Sequence, residues 1–222
     1  MAAAITRIRV AGTVTEEPGH RITPAFRELA TKDVSCFDRF DHGRIQPRLN
    51  PKRRYGVAML IRNATIADAG AIRTIYNHEV ETSLVTFDLV PRSLAEQQEW
   101  IREREGALGA IVAEREEDGE ILGFASLSPY RARPAYNTTV ENSIYVSQSA
   151  RGLGVGKALI EELLRLAKAR GFHTVLAHIA GGHEASIALH HSVGFSIVGV
   201  QKEVGRKFGK WLDVTVMQHM LG

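Results

Sequence analysis

Residues 143–156 have the sequence SIYVSQSARGLGVG, in which an apolar run leads into a turn with glycine at positions 152, 154 and 156. The apolar run predicts a strand over 138–146, and the residues beyond it predict an amphipathic helix over 152–170 that ends at Gly171. Glycine lets the backbone approach a ligand closely, and a helix N-terminus carries about half a positive charge. The stretch therefore predicts a phosphate-binding loop between a strand and a helix.

The spacing of the glycines excludes two common phosphate-binding motifs. A dinucleotide-binding fingerprint needs G-x-G-x-x-G, but the third residue after Gly154 is Lys157. A P-loop needs G-x-x-x-x-G-K-[ST], but Lys157 is followed by Ala158, and Arg151 stands where the first glycine should be. The spacing that remains is R-x-x-G-x-G, formed by Arg151, Gly154 and Gly156.

Outward from this stretch, the sequence predicts strands and helices without an internal repeat. The predicted strands lie at 60–62, 110–115, 121–127, 138–146, 174–179, 197–203 and 213–220, and the predicted helices at 67–80, 97–104, 152–170 and 184–193. Thr65 is expected to cap the first helix, and Ser93 forms a capping box with Glu96 before the second. This order implies an α/β (α+β) fold, with a central mixed sheet covered by helices on both faces.

Length and composition are those of a globular protein. The chain has 222 residues, of which 44% are hydrophobic and 24% are charged, which excludes a disordered or fibrous chain. No stretch approaches 18 consecutive apolar residues, so no membrane span is predicted. Cys36 is the single cysteine, which excludes an internal disulfide and a cysteine-based zinc cluster and favours the reducing cytoplasm. The histidines form no H-E-x-x-H pattern, so no metal site is predicted.

The N-terminal part of the chain differs in character from the rest. Residues 1–58 contain 11 Lys and Arg against 6 Asp and Glu, whereas 59–222 contain 17 against 19, which is not the charge distribution of a dedicated nucleic-acid-binding protein. Only 24–31 predicts a short helix in the first part, and the basic run at 51–54 is either a solvated linker or a contact with nucleic acid or an acidic surface. The first 14 residues lack a signal-peptide pattern, and a transit peptide stays open. We therefore predict an irregular N-terminal extension over 1–58 and one folded domain over 59–222.

Residues 59–221 resemble the phosphinothricin and methionine sulfoximine acetyltransferase-like branch of the GNAT superfamily. The resemblance rests on the R-x-x-G-x-G loop and on segments spread over the whole predicted domain. These segments lie at 61–64, 86–87, 99–100, 130–136, 139–146, 151–156, 186–190, 194–195 and 209–213. The resemblance implies the GNAT fold with a mostly antiparallel sheet, and transfer of an acetyl group from acetyl-CoA to the α-amino group of a small amino acid analogue.

The resemblance also implies how acetyl-CoA is held. Its diphosphate is expected at the glycine-rich loop, formed by Arg151, Gly152, Leu153, Gly154, Val155, Gly156 and Lys157. The backbone of Tyr145 and Val146 is expected to stabilise the oxyanion, and Ser186 either adds a contact with CoA or caps a helix. His183 departs from the family, which commonly has Asn at this place to bind the pantetheine arm.

Two side chains are candidates for the chemistry. On the predicted strand, Glu141 shares a face with residues 143 and 145, and the resemblance implies that Glu141 is the general base. The alternative for Glu141 is an ordinary salt bridge or solvent exposure. The resemblance offers His190 as a second catalytic residue, an acid or a base relay, and a structural role for His190 is the alternative.

The acceptor site is expected at the loop 130–136. Arg131 and Arg133 suit the anionic groups of an amino acid analogue, and Tyr136 and Phe87 are expected to shape the pocket. Without the resemblance, this loop would be interpreted as a basic surface loop. The resemblance further implies a homodimer, in which the segment 207–211 meets the active site of the neighbouring subunit; Trp211 could equally belong to the core.

Two other functions stay open at this point. One is an acyl-CoA-binding regulatory module without catalysis. The other is acetylation of protein N-termini or lysines, which needs an open acceptor groove, whereas the arginine pair favours a small closed site. Direct attack on the thioester is expected rather than an acyl-cysteine route, because Cys36 has no paired histidine in a recognisable motif.

Overall fold

The computed structural model describes residues 56–222 and the backbone of a short strand at Arg48–Leu49. The predicted helix at 24–31, the basic run at 51–54 and Cys36 lie outside the described residues. Strand Arg48–Leu49 pairs with Leu60 and Ile61, and the Gly56 N–H donates to the Leu153 carbonyl at 3.0 Å.

The described strands form one mixed sheet. They are β1 (Arg48–Leu49), β2 (Met59–Asn63), β3 (Ala110–Arg115), β4 (Ile121–Pro129), β5 (Thr139–Val146), β6 (Thr174–Ala180), β7 (Ser196–Lys207) and β8 (Lys210–Met220). Their order across the sheet is β1-β2-β3-β4-β5-β6-β8-β7. Within this described sheet β5 and β6 run parallel, and every other neighbouring pair runs antiparallel. The predicted mixed, mostly antiparallel sheet is confirmed.

Helices cover both faces of the sheet. They are α1 (Ala69–Thr82), α2 (Leu94–Arg102), α3 (Val155–Ala169) and α4 (Glu184–His191), with 3-10 turns at Ile66–Asp68, Pro134–Tyr136 and Gln148–Ala150. Successive residues of a strand point to opposite faces. On β4, Ala125 packs into the apolar cluster that contains α3, and Phe124 packs into the cluster that contains α1 and α2.

The start of α1 is fixed by an ion pair and a cap. The structure begins this segment with the turn Ile66–Asp68 rather than with the α-helix expected from residue 67. The Asp68 carboxylate accepts the Thr65 N–H at 2.7 Å and both terminal nitrogens of Arg62 at 2.8 Å. Burial favours the neutral acid, but the hydrogen bonds from Arg62 and Thr65 outweigh it and hold the pKa of Asp68 below its usual range.

We expect Asp68→Asn to lower the free energy of unfolding by about 1–3 kcal/mol at pH 7, because it removes the charged acceptor of a buried pair. A carboxylate whose pKa is lower in the folded state stabilises the fold above its unfolded pKa, and this stabilisation is lost as pH falls through the folded value. Urea unfolding at pH 7 and near pH 3 measures this. A difference from the wild type that persists undiminished at the lower pH would contradict this account.

Among the residues that the structure describes, we find no helix whose length and apolar character suit a membrane span.

Candidate active site

A cleft opens where the two parallel strands separate. β5 and β6 are paired at Thr139↔Thr174, Val140↔Val175 and Glu141↔Leu176, and the described residues beyond these pairs are not bonded to each other. β5 continues to Val146 and β6 continues to Ala180, so both strands run on after their pairing has ended. We call this space the β5–β6 cleft. Because the strands are parallel, the helices that follow them, α3 and α4, both begin at its open end.

The predicted phosphate-binding loop lies at this open end. Gly152 and Gly154 have φ of 76° and 85°, a backbone conformation that side chains with a Cβ disfavour, and Gly154 is the N-cap of α3. The N–H groups of the first helical turn have no partner within a helix, so they are available to an anion. A Cβ added to Gly152 would meet nothing within 4 Å, so the described structure leaves open space at this turn.

The other loop residues divide between packing and surface. Gly156 is explained by packing, because a Cβ there would lie 3.1 Å from Cδ2 of Leu189 on α4. The Val155 side chain is buried in the core, so only its backbone can face a ligand. Lys157 is half-buried, and Leu153 packs against the core.

Arg151 reaches across to α1. Its Nη2 donates to the carboxylate of Glu79, whose side chain is buried, while the Arg151 side chain is 52% exposed. Exposure leaves much of the guanidinium accessible at the mouth of the cleft. This ion pair therefore holds Arg151 beside the glycine turn, where it can add positive charge to an anion site.

The N-terminus of α4 lies across the cleft from this loop. His183 is its N-cap, and its Nδ1 accepts the N–H of Ser186 at 3.2 Å. An accepting Nδ1 carries no proton, so in the neutral ring the proton is on Nε2. His183 thus caps α4, and its Nε2–H is available as one donor.

His190 lies on the other side of the sheet from Glu141. Its side chain is buried, its Nδ1 donates to the Ser186 carbonyl at 2.7 Å, and its Nε2 lies 3.1 Å from Nδ2 of Asn142. Asn142 neighbours Glu141 on β5, so the two side chains point to opposite faces. Burial lowers the pKa of His190, partly opposed by the hydrogen bond to Ser186. The structure therefore favours the structural alternative for His190.

Glu141 lies at the closed end of the cleft, at the last position where β5 and β6 pair. Its Oε1 is 3.1 Å from Nδ1 of His178 on β6, and the two side chains are 12% and 10% exposed. Our sequence reasoning did not identify His178. A histidine in the apolar strand 174–179 was a usable signal, but only the register of β5 against β6 shows that it meets Glu141.

Aromatic side chains pack around Tyr145, four residues beyond Glu141 on β5. The Tyr145 ring stacks on Phe124 with centroids 5.2 Å apart and meets the edge of Tyr76 at 5.0 Å. Burial raises the pKa of Tyr145 to about 12, so its phenol stays protonated at neutral pH. The Tyr76 hydroxyl donates to Asp88 at 2.6 Å. The ring contacts of Tyr145 hold the end of β5 in place beside the cleft.

The loop after β4 packs on His178, the neighbour of Glu141 on β6. The Tyr130 ring stacks on His178, with centroids 6.2 Å apart and planes 16° apart, and it meets the Tyr136 ring edge-on at 5.5 Å. The Arg131 guanidinium lies 4.8 Å from the Tyr130 centroid. The Arg133 side chain is exposed and makes no hydrogen bond or ion pair with the part of the chain that the structure describes. Arg131 is thus held on tyrosine faces, and the Arg133 side chain has no such anchor within the described residues.

Phe87 belongs to a segment that is fastened to the β7–β8 hairpin. A Cβ on Gly205 would clash with Cε1 of Phe87, so glycine is needed for the ring to rest on β7. Lys207 is 2% exposed, and its Nζ donates to the Thr86 carbonyl at 2.9 Å. Lys207 therefore points into its own chain, in contrast to the expectation that it meets a neighbouring subunit. Trp211 is 60% exposed, so the core alternative for Trp211 was wrong.

No group of three or more His, Cys, Asp or Glu side chains that could hold a metal ion occurs among residues 56–222.

A comparison with known proteins gives the family. The model of the Acetyltransferase (GNAT) family matches residues 72–195 of the chain. The L-methionine sulfoximine/L-methionine sulfone acetyltransferase of Pseudomonas aeruginosa is 40% identical over 158 residues, which are 71% of this chain and 92% of that relative.

Solved structures agree with this match. The phosphinothricin acetyltransferase of Sinorhizobium meliloti, crystallised in complex with acetyl-CoA, superposes with a TM-score of 0.71 at 41% identity over 74% of this chain and 89% of that one. A structure described as ribosomal-protein-alanine N-acetyltransferase from Brucella melitensis superposes with a TM-score of 0.70 at 41% identity over 72% of this chain and 99% of that one. The strand order, the glycine loop before α3 and these similarities together show that the chain belongs to the GNAT family of N-acetyltransferases.

Proposed function

We propose that the protein transfers the acetyl group of acetyl-CoA to the α-amino group of a small amino acid analogue of the phosphinothricin, methionine sulfoximine or methionine sulfone type. The observation that carries this proposal is the β5–β6 cleft. The cleft has a glycine-rich turn and a helix N-terminus at its open end and a carboxylate, Glu141, where its strands meet. Two similar proteins bear names for the same substrates, and one of them was crystallised with acetyl-CoA.

The proposed CoA site uses mainly backbone groups. The N–H groups of 151–157 bind the diphosphate, and the positive end of α3 adds to this attraction. The unpaired edge of β5 at Tyr145 and Val146 faces the pantetheine arm, with His183 and Ser186 of α4 on the other side. A site built from backbone N–H groups tolerates many side chains, which fits a loop that contains glycine, apolar and basic residues.

The proposed reaction is direct attack of the amine on the thioester. An amine with a pKa above 8 is mostly protonated at pH 7, and each unit of mismatch costs about 1.4 kcal/mol. Glu141 accepts one proton from the ammonium group, the free amine attacks the thioester carbon, and the C–S bond then breaks. The N–H groups near Tyr145 and Val146 stabilise the oxyanion. The second proton lost by the nitrogen protonates the departing thiolate, so that CoA leaves as the thiol, and the proton on Glu141 passes to solvent.

His190 has a structural role in this proposal. Both of its ring nitrogens have partners within the chain, at Ser186 and Asn142, and its ring packs on Phe195 at 5.0 Å. The contact with Asn142 fastens α4 beneath β5. His190 thereby keeps the two sides of the β5–β6 cleft at a fixed separation without exchanging protons with substrate.

The proposed acceptor site combines Arg131, Arg133, Tyr136 and Phe87. Arg133 is the side chain best placed to pair with the carboxylate of an amino acid, because its guanidinium is exposed and makes no hydrogen bond or ion pair within the described residues. Arg131 supports the tyrosine faces from outside.

We expect Arg133→Ala to raise the KM for the acceptor about tenfold or more, with little effect on the KM for acetyl-CoA, because a charged hydrogen bond to the acceptor is lost. Steady-state kinetics with each substrate varied in turn measures this. Arg165→Ala is a matched control, since Arg165 pairs with Glu162 on α3. The reverse pattern, a raised KM for acetyl-CoA alone, would assign Arg133 to the other substrate.

We also propose a homodimer that works in the cytoplasm. Large apolar side chains are exposed along the last two strands, and they include Ile197, Val198, Val200, Val204, Phe208, Trp211 and Met220. An apolar surface of this kind is typical of an interface. The single cysteine of the sequence favours a reducing compartment.

A thiol-release assay tests the proposed function against its rivals. Purified protein with acetyl-CoA is offered methionine sulfoximine, methionine sulfone, phosphinothricin and the standard amino acids. Turnover on one of these analogues supports the proposal. Acetyl-CoA binding without turnover on any amine would favour a regulatory module. Turnover only on peptides that begin with alanine, or on lysine side chains, would favour protein acetylation, the activity named for the similar Brucella melitensis structure.

A further inference from the structure

The proposed base has a partner on the neighbouring strand. Glu141 pairs with Leu176 in the last pair between β5 and β6, and His178 lies two residues further along β6. Residues two apart on a strand point to the same face, so His178 and Glu141 face the same side of the sheet. Nδ1 of His178 lies 3.1 Å from Oε1 of Glu141, and neither side chain is more than 12% exposed.

The contact has one unusual property. Within the described residues, Nδ1 of His178 is buried and has no hydrogen bond of good geometry, although the Glu141 carboxylate lies within hydrogen-bonding distance. Buried polar atoms without partners are rare in native proteins, and they concentrate at functional sites. Catalytic hydrogen bonds are also often poorly aligned before substrate binds.

The surroundings of His178 leave its ring few other arrangements. The His178 ring stacks on the Tyr130 ring. The Arg131 guanidinium lies over the Tyr130 ring, 4.8 Å from its centroid. On β8, the residue opposite His178 is Val216, which is uncharged. The Glu141 carboxylate is therefore the acidic group in contact with this imidazole among the described neighbours on β5, β8 and the loop after β4.

We infer that His178 is a positioning residue for Glu141: its Nδ1–H donates to one carboxylate oxygen and thereby fixes the orientation in which the carboxylate accepts a proton from the amine. This inference rests on the proposed function. An ionised carboxylate only accepts hydrogen bonds, so the proton of this contact belongs to Nδ1, and in the neutral ring Nε2 is the unprotonated nitrogen. The Tyr130 stack links this arrangement to the acceptor loop, because ordering the loop on substrate also orders the ring.

Kinetics of three variants test the inference. We expect His178→Leu to lower kcat about 10–100-fold, the range typical of a misplaced catalytic group, and to change the KM for acetyl-CoA less than twofold. His178→Asn places an amide N–H near the position of Nδ1, and we expect its kcat to be within about threefold of the wild type. His173→Leu is the matched control, since His173 is exposed and precedes the same strand. Circular dichroism confirms that each variant is folded.

The outcomes separate this inference from the proposed function. A His178→Leu variant as active as the wild type, or a folded His178→Asn variant as slow as His178→Leu, would overturn the inference and leave the proposed function intact. A wild type that acetylates no amine would remove the proposed function. In that case, long-range proton–nitrogen NMR decides the contact: a protonated Nδ1 in His178 whose signal shifts in Glu141→Gln supports it, and a ring protonated at Nε2 alone refutes it.

Discussion

Glu141→Gln is expected to lower kcat by about 10²–10⁴-fold at pH 7, the range typical of the loss of a general base. The substitution keeps the size of the side chain at the closed end of the β5–β6 cleft but removes its ability to accept a proton. The loss should be smaller at pH 9, because more of the amine is then already unprotonated and a base contributes less. The measurement is kcat for the best acceptor in the thiol-release assay across this pH range.

A control variant makes the same chemical change at a position away from the cleft. Glu117→Gln removes the same charge from the exposed turn between β3 and β4, and we expect it to leave kcat unchanged. Binding of acetyl-CoA should be retained in both variants, because the proposed diphosphate site is at the other end of β5. A small loss in Glu141→Gln that does not vary with pH would exclude Glu141 as the base.

Local sequence signals were sufficient to predict the elements that flank the cleft. The strand Ala110–Arg115 has the predicted bounds, because a short apolar run followed by a charged, glycine-containing turn defines it locally. The capping box at Ser93 is present with both of its hydrogen bonds. Glycines at 152 and 154 have the positive φ values that a tight turn into a helix requires. Caps, turns and helix starts depend on a few adjacent residues, so a sequence contains most of what decides them.

Contacts between strands could not be predicted in the same way. The pairing of β5 with β6 spans more than thirty residues and includes a helix, so neither its register nor its end follows from local patterns. For this reason His178 was missed although Glu141 was selected. Which face a residue occupies follows from alternation, but which neighbour it meets depends on tertiary packing.

The histidines of α4 show a second limit. Their seven-residue spacing predicts one shared helix face for His183 and His190. His183 instead precedes the helix as its N-cap, and its ring folds back to the N–H of Ser186. His190 lies beneath the sheet at Asn142. A helical-face argument holds only within a helix, and His183 lies one residue before the start of α4, so the argument does not apply to this pair.

Gly154→Val is expected to weaken acetyl-CoA binding about 100-fold or more, a loss of about 2.7 kcal/mol in binding free energy. Gly154 has φ of 85° and caps α3, so a β-branched side chain is strained there and would lie over the N–H groups that we propose bind the diphosphate. Gly171→Val is the matched control, because Gly171 has φ of 78° at the other end of the same helix and a Cβ there meets nothing within 4 Å. Both variants should lose similar stability, about 1–2 kcal/mol, in urea unfolding. Isothermal calorimetry with acetyl-CoA then separates strain from ligand contact: equal affinities in the two variants would mean that the diphosphate binds elsewhere, and the proposed path from the glycine loop to Glu141 would fail with it.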